Sequence, residues 1–176
     1  MKKVIALGGS NSKKSINKLL ATYTANKLNN VEVKVLDLND YKMPIYGFDF
    51  EDAHGIPKEA HDLLNEIKES DGIVLSLAEH NGTYTTAFKN AFDWMSRIEG
   101  KLWSNRPMLL MSTSPGEKGG ATALEIAKGR FSFMGGNIIA DMSFPSFFEN
   151  FIDGKVMDKK LNDKLEESVI KLQQAL

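Results

Sequence analysis

The residues best placed for chemistry follow the first apolar run of the chain. Residues 8–17 read GGSNSKKSIN, so two glycines lead into a segment rich in hydroxyl, amide and ammonium groups. The glycines permit a tight turn, and a helix that begins near Ser15 would offer free N–H groups and a positive dipole end to an anion. The segment predicts a phosphate-binding loop, and an ordinary serine-capped turn is the alternative. The candidate donors are Ser10, Ser12, Lys13, Lys14, Ser15 and Asn17.

This loop matches neither of the two common nucleotide-binding motifs. The pattern G-x-G-x-x-G is absent. The P-loop pattern G-x-x-x-x-G-K-[ST] fits Gly8 and the pair Lys14-Ser15, but Lys13 stands where a second glycine would let the loop wrap a polyphosphate. No predicted strand ends in a clear magnesium-binding aspartate. A nucleotide triphosphatase is therefore disfavoured.

Two later loops are also candidates for ligand binding. Residues 78–83 read AEHNGT, and the pair Asn81-Gly82 predicts a turn with positive φ that points backbone amides outward. Such amides can hydrogen-bond the edge of a planar heterocycle, and we expect Thr83 to cap the next helix. Residues 112–120, STSPGEKGG, are small and flexible enough for a flat ligand to approach their backbone. Plain turns are the alternative for both loops.

Apolar runs alternate with helical spacing along the chain, and these elements must position the loops. The runs predict strands at residues 4–7, 31–35, 72–77, 107–112 and 137–139. Apolar stripes predict helices within residues 16–28, 60–67, 84–95, 120–133 and 161–176, the last one capped by Asp158. This alternation implies a three-layer α/β/α domain with a parallel sheet. Ligands of such sheets bind beyond the carboxyl ends of the strands, where the strand order reverses.

Composition excludes several classes of function. The chain has 176 residues, 42% of them hydrophobic, and a net charge of −1, which fits one globular domain and argues against nucleic acid as a partner. It has no cysteine, so disulfides, thiolate metal sites and cysteine nucleophiles are excluded. No apolar run is long enough to span a membrane, and the apolar start stops too early for a signal peptide. We therefore expect a cytoplasmic protein.

Taken together, the three loops resemble those of the NAD(P)H-dependent FMN reductase family, which includes quinone, azo-dye and chromate reductases. The family's first loop reads G-S-x-R-x-x-S-x-N and matches residues 9–17, except that Ser12 replaces the arginine. Its second reads P-E-Y-N-G-S-x-P-G-x-L-K-N-A-x-D-W and is matched at Glu79, Asn81, Gly82, residues 89–91 and residues 93–94, with Ala78 and His80 in place of the usual proline and tyrosine. Its third resembles residues 112–120, and Pro44-Ile45-Tyr46 matches a further P-x-Y segment.

The resemblance implies a single flavodoxin-like domain over residues 1–176, with a five-stranded parallel sheet in the order 2-1-3-4-5. FMN would be the bound cofactor and NADPH or NADH the co-substrate. Ser10, Ser15 and Asn17 would hold the FMN phosphate, with Ser12, Lys13 and Ile16 beside them. The isoalloxazine edge would meet the second loop, and the third loop would approach its other side through Ser114 and Gly116. The second-loop residues are Ala78, Glu79, His80, Asn81, Gly82 and Thr83.

On this basis we expect hydride transfer from nicotinamide to flavin N5, followed by two-electron reduction of a small acceptor such as a quinone, a flavin or an azo dye. The cofactor carries that chemistry, so we nominate no catalytic side chain and no metal ligand. An FMN-binding electron carrier and a non-catalytic flavodoxin-like binding protein are the alternatives. Residues 40–56 and 141–157 are predicted to be long, aromatic-rich loops. Such loops would otherwise expose apolar surface, so we expect a homodimer or homotetramer.

Overall fold

A central five-stranded parallel sheet organises the computed structural model, which describes residues 1–176. The strands occur in the order β2-β1-β3-β6-β7, and every neighbouring pair is parallel. Two short antiparallel hairpins, β4-β5 and β8-β9, lie outside this sheet. The nine strands are β1 (Lys2–Gly9), β2 (Val31–Leu36), β3 (Gly72–Leu77), β4 (Glu79–His80), β5 (Thr83–Tyr84), β6 (Pro107–Thr113), β7 (Asn137–Phe144), β8 (Phe151–Ile152) and β9 (Lys155–Val156).

The sheet order confirms the expected flavodoxin-like arrangement. When the five long strands are counted along the chain, their order in space is 2-1-3-4-5. The third strand has the predicted bounds, but the fifth extends to Phe144 instead of ending at residue 139. This last strand lies at a sheet edge and is only partly buried, so polar residues such as Asp141 and Ser143 interrupt its apolar pattern.

Helices cover both faces of the sheet. On one face α1 and α7 pack against strand residues such as Val4 and Leu109. On the other face α3, α4 and α5 enclose a core that includes Ile5, Trp103 and Phe131. Residues 4–7 are at most 1% exposed, as expected for a strand covered from both sides. The seven helices are α1 (Ile16–Ala25), α2 (Phe48–His54), α3 (Lys58–Glu69), α4 (Thr86–Ile98), α5 (Ala121–Phe131), α6 (Phe147–Asn150) and α7 (Lys159–Ala175). No helix is both long enough and apolar enough to traverse a bilayer.

In three of these helices the residue that precedes the first turn caps the helix with its own side chain. The Asp158 carboxylate accepts from the Leu161 amide at 2.8 Å, which confirms the predicted cap of α7. The expectation that Thr83 caps α4 is wrong. Thr83 pairs with His80 in the β4-β5 hairpin, and Thr85 takes the cap position and accepts from the Phe88 amide at 3.1 Å. The hairpin therefore delays the helix by two residues.

The two segments expected to be long loops contain short elements. Residues 40–56 include α2, and residues 141–157 include the end of β7, α6 and the β8-β9 hairpin. The expectation of irregular structure is thus wrong for much of both segments. Helix α2 has seven residues and none of them is fully buried, so it lacks the apolar periodicity by which a sequence reveals a helix.

Candidate functional site

The three candidate loops meet at the carboxyl ends of adjacent strands. They follow β1, β3 and β6, which end at Gly9, Leu77 and Thr113. Strand β1 lies between β2 and β3, so the chain moves to opposite sides of β1 in its first two crossovers. Open α/β sheets bind ligands at such a reversal of strand order. A cavity of about 170 Å³ opens there.

The serines of the first loop fold the loop and keep their hydroxyl protons free. The Ser10 hydroxyl accepts from the Ser12 amide at 3.1 Å, and the Ser12 hydroxyl accepts from the Lys14 amide at 3.2 Å. Ser15 caps α1 by accepting from the Lys18 amide at 3.1 Å. Each hydroxyl uses a lone pair in these bonds and retains one O–H donor. The loop therefore offers three hydroxyl donors from one short stretch of chain.

The start of α1 adds further donors and positive potential. The Ile16 and Asn17 amides lie in the first helical turn, where N–H groups have no intrahelical acceptor. No acidic residue lies in that turn, and the nearby Lys14 side chain is exposed and forms no ion pair. Gly8 allows α1 to pack closely on β1, since a β-carbon there would lie 2.5 Å from the Lys18 nitrogen. These features together suit an anionic group with several oxygen acceptors.

Most of the predicted binding residues line this cavity. Those that do are Ser10, Ser12, Ser15, Ile16, Asn17, Ala78, Glu79, His80 and Ser114. Three further residues, Lys14, Thr113 and Pro115, complete the lining. The other predicted residues lie outside it: Lys13, Asn81, Gly82, Thr83 and Gly116. Lys14 thus lines this cavity, whereas Lys13, the lysine named among the predicted binding residues, does not.

The Asn17 side chain connects the loops instead of pointing freely into the cavity. It is 1% exposed, and its Nδ2 donates to the Thr113 carbonyl at 3.1 Å. Its Oδ1 accepts from the Thr113 amide at 3.1 Å and from the Ser76 hydroxyl at 2.6 Å. Sequence reasoning placed Asn17 at the phosphate but missed this network. The network leaves the backbone amide of Asn17 as its main free donor.

The second loop is a two-residue hairpin turn. Asn81 and Gly82 have φ values of 53° and 79°, so the predicted positive φ is confirmed. Glu79 serves a neighbouring helix, because its Oε2 accepts from the Ala123 amide at 2.9 Å in the first turn of α5. The cap residue of that helix, Gly120, has no side chain of its own to do this. Helix α5 is therefore capped by the carboxylate of Glu79, a residue of strand β4.

The third loop packs against the end of the edge strand. Its Ser114 carbonyl accepts from the Phe147 amide at 3.1 Å, and its Gly116 carbonyl accepts from the Ser146 amide at 2.9 Å. Gly119 has a φ of +56°, and a β-carbon there would lie 2.5 Å from Ser143 Oγ. Glycine is required at that position by both conformation and space. The loop is consequently held in place and is not free to move as its composition suggested.

A larger cavity of about 440 Å³ lies beside the first one, and His80 lines both. Ile45 forms part of its wall and belongs to the segment Pro44–Tyr46, which α4 holds at its backbone. Asn90 Oδ1 accepts from the Tyr46 amide at 2.8 Å, and Asn90 Nδ2 donates to the Pro44 carbonyl at 2.9 Å. The Trp94 indole donates to the same carbonyl at 2.8 Å. The two segments that match the family patterns P-x-Y and K-N-A-x-D-W therefore contact each other in the folded chain.

Two titratable groups near these cavities have shifted pKa values. Burial raises the pKa of Tyr41 to about 12, and the carboxylates of Glu66, Asp40 and Asp62 add to the shift. Tyr41 therefore stays a neutral phenol at physiological pH. Burial also acts to raise the pKa of Asp37, but hydrogen bonds from Lys18 and Asn39 outweigh it and hold that pKa below its usual value. The Lys18–Asp37 ion pair links α1 to the chain after β2.

Comparison with known proteins decides the family. The family model described as NADPH-dependent FMN reductase matches residues 2–149. The chain belongs to this family. A quinone reductase of Pseudomonas putida is 30% identical over 167 residues, covering 92% of this chain and 85% of that protein. A quinone reductase of Escherichia coli K12 is 27% identical over 168 residues, covering 95% and 87%.

One solved structure resembles this chain over nearly its full length. The flavoenzyme NAD(P)H:(acceptor) oxidoreductase FerB from Paracoccus denitrificans superimposes with a TM-score of 0.79 at 26% identity, covering 99% of this chain and 96% of FerB. The expected fold, the enzyme class and the FMN and nicotinamide cofactors are thereby confirmed. No cluster of three or more His, Asp or Glu residues suitable for a metal ion is present.

Proposed function

We propose that this protein reduces a small quinone-type acceptor with a reduced nicotinamide, and that the loop of residues 10–17 holds the FMN phosphate. The observation that carries the proposal is the set of serine hydroxyls that accept from backbone amides and keep their protons to donate. The free amides at the start of α1 and the absence of acidic residues in its first turn suit a phosphate dianion. The quinone reductases of P. putida and E. coli support the class of acceptor.

Each loop has a distinct binding task in this proposal. Ser10, Ser12 and Ser15 donate hydroxyl protons to the phosphate, and the Ile16 and Asn17 amides donate from the helix start. The usual arginine of the family is Ser12 here, so Lys14, with Lys13 beside it, supplies the positive charge. The second loop, residues 78–83, meets the edge of the isoalloxazine ring, and Ser114 and Gly116 approach its other side.

The chain's own residues bind and orient, and none needs to act as a nucleophile. When bound, FMN would supply the two-electron redox chemistry between a reduced nicotinamide and the acceptor. Glu79 is engaged as the cap of α5, which makes it a poor candidate for a proton carrier. His80 is exposed and lines both cavities, so its ring is placed to contact an incoming acceptor.

We also propose that the protein assembles as a homodimer or homotetramer in the cytoplasm. Support for assembly comes from two exposed apolar side chains in neighbouring positions, Ile45 at 80% and Phe48, at the start of α2, at 71% exposed. The proposed location in the cytoplasm is supported by the proposed co-substrate, because reduced nicotinamides are supplied there. Light scattering coupled to size-exclusion chromatography measures the mass in solution. A clean monomer mass at micromolar concentration would contradict the assembly.

The activity is tested by reconstituting the purified protein with FMN and following NADPH oxidation with 1,4-benzoquinone as acceptor. We expect quinone-dependent NADPH oxidation that requires FMN, with NADH tested in parallel. If FMN binds tightly but neither nicotinamide reduces the quinone, the electron carrier or the non-catalytic binding protein becomes the correct description. A mixture lacking the protein is the control for direct reaction of NADPH with free FMN and quinone.

A further inference from the structure

The larger cavity combines an apolar wall with a polar rim. Its volume of about 440 Å³ lies within the range of roughly 300–1,000 Å³ that is common for small-molecule sites. Apolar contact comes from Leu38, Tyr41, Met43, Ile45, Ala87 and Ala91. None of these six side chains is ionised at physiological pH, so this wall carries no charge. It suits a planar, weakly polar molecule.

Three of the polar side chains in the lining have hydrogen-bond partners within the chain. Thr85 donates to the Gly9 carbonyl, Asn90 holds the Pro44–Tyr46 backbone, and the Asn39 amide donates to Asp37. The Asn11 side chain makes no hydrogen bond within the chain. The side chains of Tyr41, Lys42, His80 and Thr86 also make no hydrogen bond within the chain, so the cavity keeps polar groups that a ligand can use.

Lys42 is the one lysine or arginine in the lining. No carboxylate lines the cavity. Lys42 is exposed and forms neither an ion pair nor a hydrogen bond, unlike Lys18, which is paired with Asp37. An unpaired ammonium beside an apolar wall raises the local concentration of anions and favours an anion that also has apolar surface.

We propose that this cavity binds the electron acceptor and that Lys42 selects acceptors that carry an anionic substituent, such as a sulfonate, a carboxylate or an ionised hydroxyl. The inference rests on the proposed function, since it concerns the acceptor of that reaction. The shared residue His80 places the acceptor cavity next to the loop that we assign to FMN. Lys42 is thus a specificity residue and takes no part in the electron transfer itself.

Binding to the oxidised holoenzyme tests this without turnover. Naphthalene-2-sulfonate and naphthalene-2-sulfonamide have similar shapes but differ in charge, and isothermal titration calorimetry measures both dissociation constants. We expect the wild type to bind the sulfonate more tightly, and Lys42→Glu to weaken the sulfonate about tenfold while changing the sulfonamide less than about twofold. Lys160→Glu, an exposed site on α7, makes the same change in net charge and should leave both constants unaltered.

The kinetic arm uses 1,4-benzoquinone and its 2-sulfonate. Lys42→Glu should lower kcat/KM for the sulfonate about tenfold and leave the neutral quinone nearly unchanged, with FMN content equal to that of the wild type. Equal effects of Lys42→Glu and Lys160→Glu, equal effects on the two naphthalene probes, or no binding of the sulfonate by the wild type would overturn the inference. A change confined to NADPH would also overturn it, because the anion would then be the nucleotide. Failure of the wild type to reduce either quinone would instead reject the proposed function.

Discussion

A reciprocal pair of hydrogen bonds joins Asn17, in the first turn of α1, to Thr113, at the end of β6. The Asn17 side chain donates to the Thr113 carbonyl and accepts from its amide, both at 3.1 Å, and the pair is buried. The Ser76 hydroxyl adds a third bond, to Asn17 Oδ1. One asparagine therefore fixes the first loop against the third, and the geometry of the candidate phosphate site depends on it.

Replacing Asn17 with alanine should lower both stability and FMN affinity. The change leaves the Ser76 hydroxyl and both backbone groups of Thr113 without partners in a buried place, which costs about 2–4 kcal/mol. Urea unfolding of the apoprotein measures the loss. Asn11→Ala, which removes an exposed side chain without hydrogen bonds, should change stability by less than about 0.5 kcal/mol. If the two variants had the same free energy of unfolding, the buried network would not contribute to stability.

Two glycines near α5 should respond to alanine in opposite ways. Gly119 has a positive φ and no room for a β-carbon, so Gly119→Ala should destabilise the fold by more than about 2 kcal/mol. Gly129 lies within α5 with open space around it, so Gly129→Ala should stabilise the fold by about 0.5–1 kcal/mol. Thermal unfolding of both variants gives the comparison. A tolerated alanine at Gly119 would mean that the third loop is not held as described.

Asp37 should make stability depend on pH in the acid range. Its folded pKa lies below the ordinary value of 3.8, so its contribution is complete above the unfolded pKa and is lost as the pH falls through the folded pKa. Asp37→Asn should therefore cost about 1 kcal/mol at pH 7 and progressively less below about pH 4. Unfolding free energies at several pH values measure this trend. The exposed Asp40, converted to Asn, is the control, and a pH-independent difference for Asp37→Asn would contradict the assignment.

Much of the fold could be predicted because the central strands are continuous apolar runs that can be recognised in the sequence. Residues 72–77 are buried on both faces and read as one continuous apolar run, so their bounds were found correctly. The second half of edge strand β7 and the whole of helix α2 were missed because partial burial removes the apolar periodicity that identifies an element. Thr85 was missed as a cap because the two-residue turn at Asn81-Gly82 creates a hairpin that a single sequence does not distinguish from a plain turn.

The candidate site was predictable in outline but not in its internal bonds. Clustered serines after a glycine pair indicated an anion site, and the structure brings those serines around one cavity. Hydrogen bonds between distant segments, such as Glu79 to the Ala123 amide, depend on how strands and helices pack in three dimensions. No local pattern contains that information, so the sequence alone does not reveal that Glu79 caps α5.

Ser15→Asp separates helix capping from phosphate binding. Aspartate caps helices as well as serine does, so the free energy of unfolding should stay within about 0.5 kcal/mol of the wild-type value. The added negative charge should repel a phosphate at the start of α1. Denaturant unfolding of the apoprotein checks the first expectation, and Asn29→Asp, an exposed change of the same charge, is the control. A large loss of stability would mean that the variant disturbs the loop itself.

The assignment of residues 10–17 to the FMN phosphate is tested most directly by comparing FMN with riboflavin, which lacks the phosphate. Quenching of flavin fluorescence gives both dissociation constants for the wild type and for Ser15→Asp. We predict that the wild type binds FMN at least about a hundredfold more tightly than riboflavin, and that Ser15→Asp weakens FMN by about tenfold or more while leaving riboflavin unchanged. Equal affinity of the wild type for the two flavins, or equal effects of the substitution on both, would contradict the account.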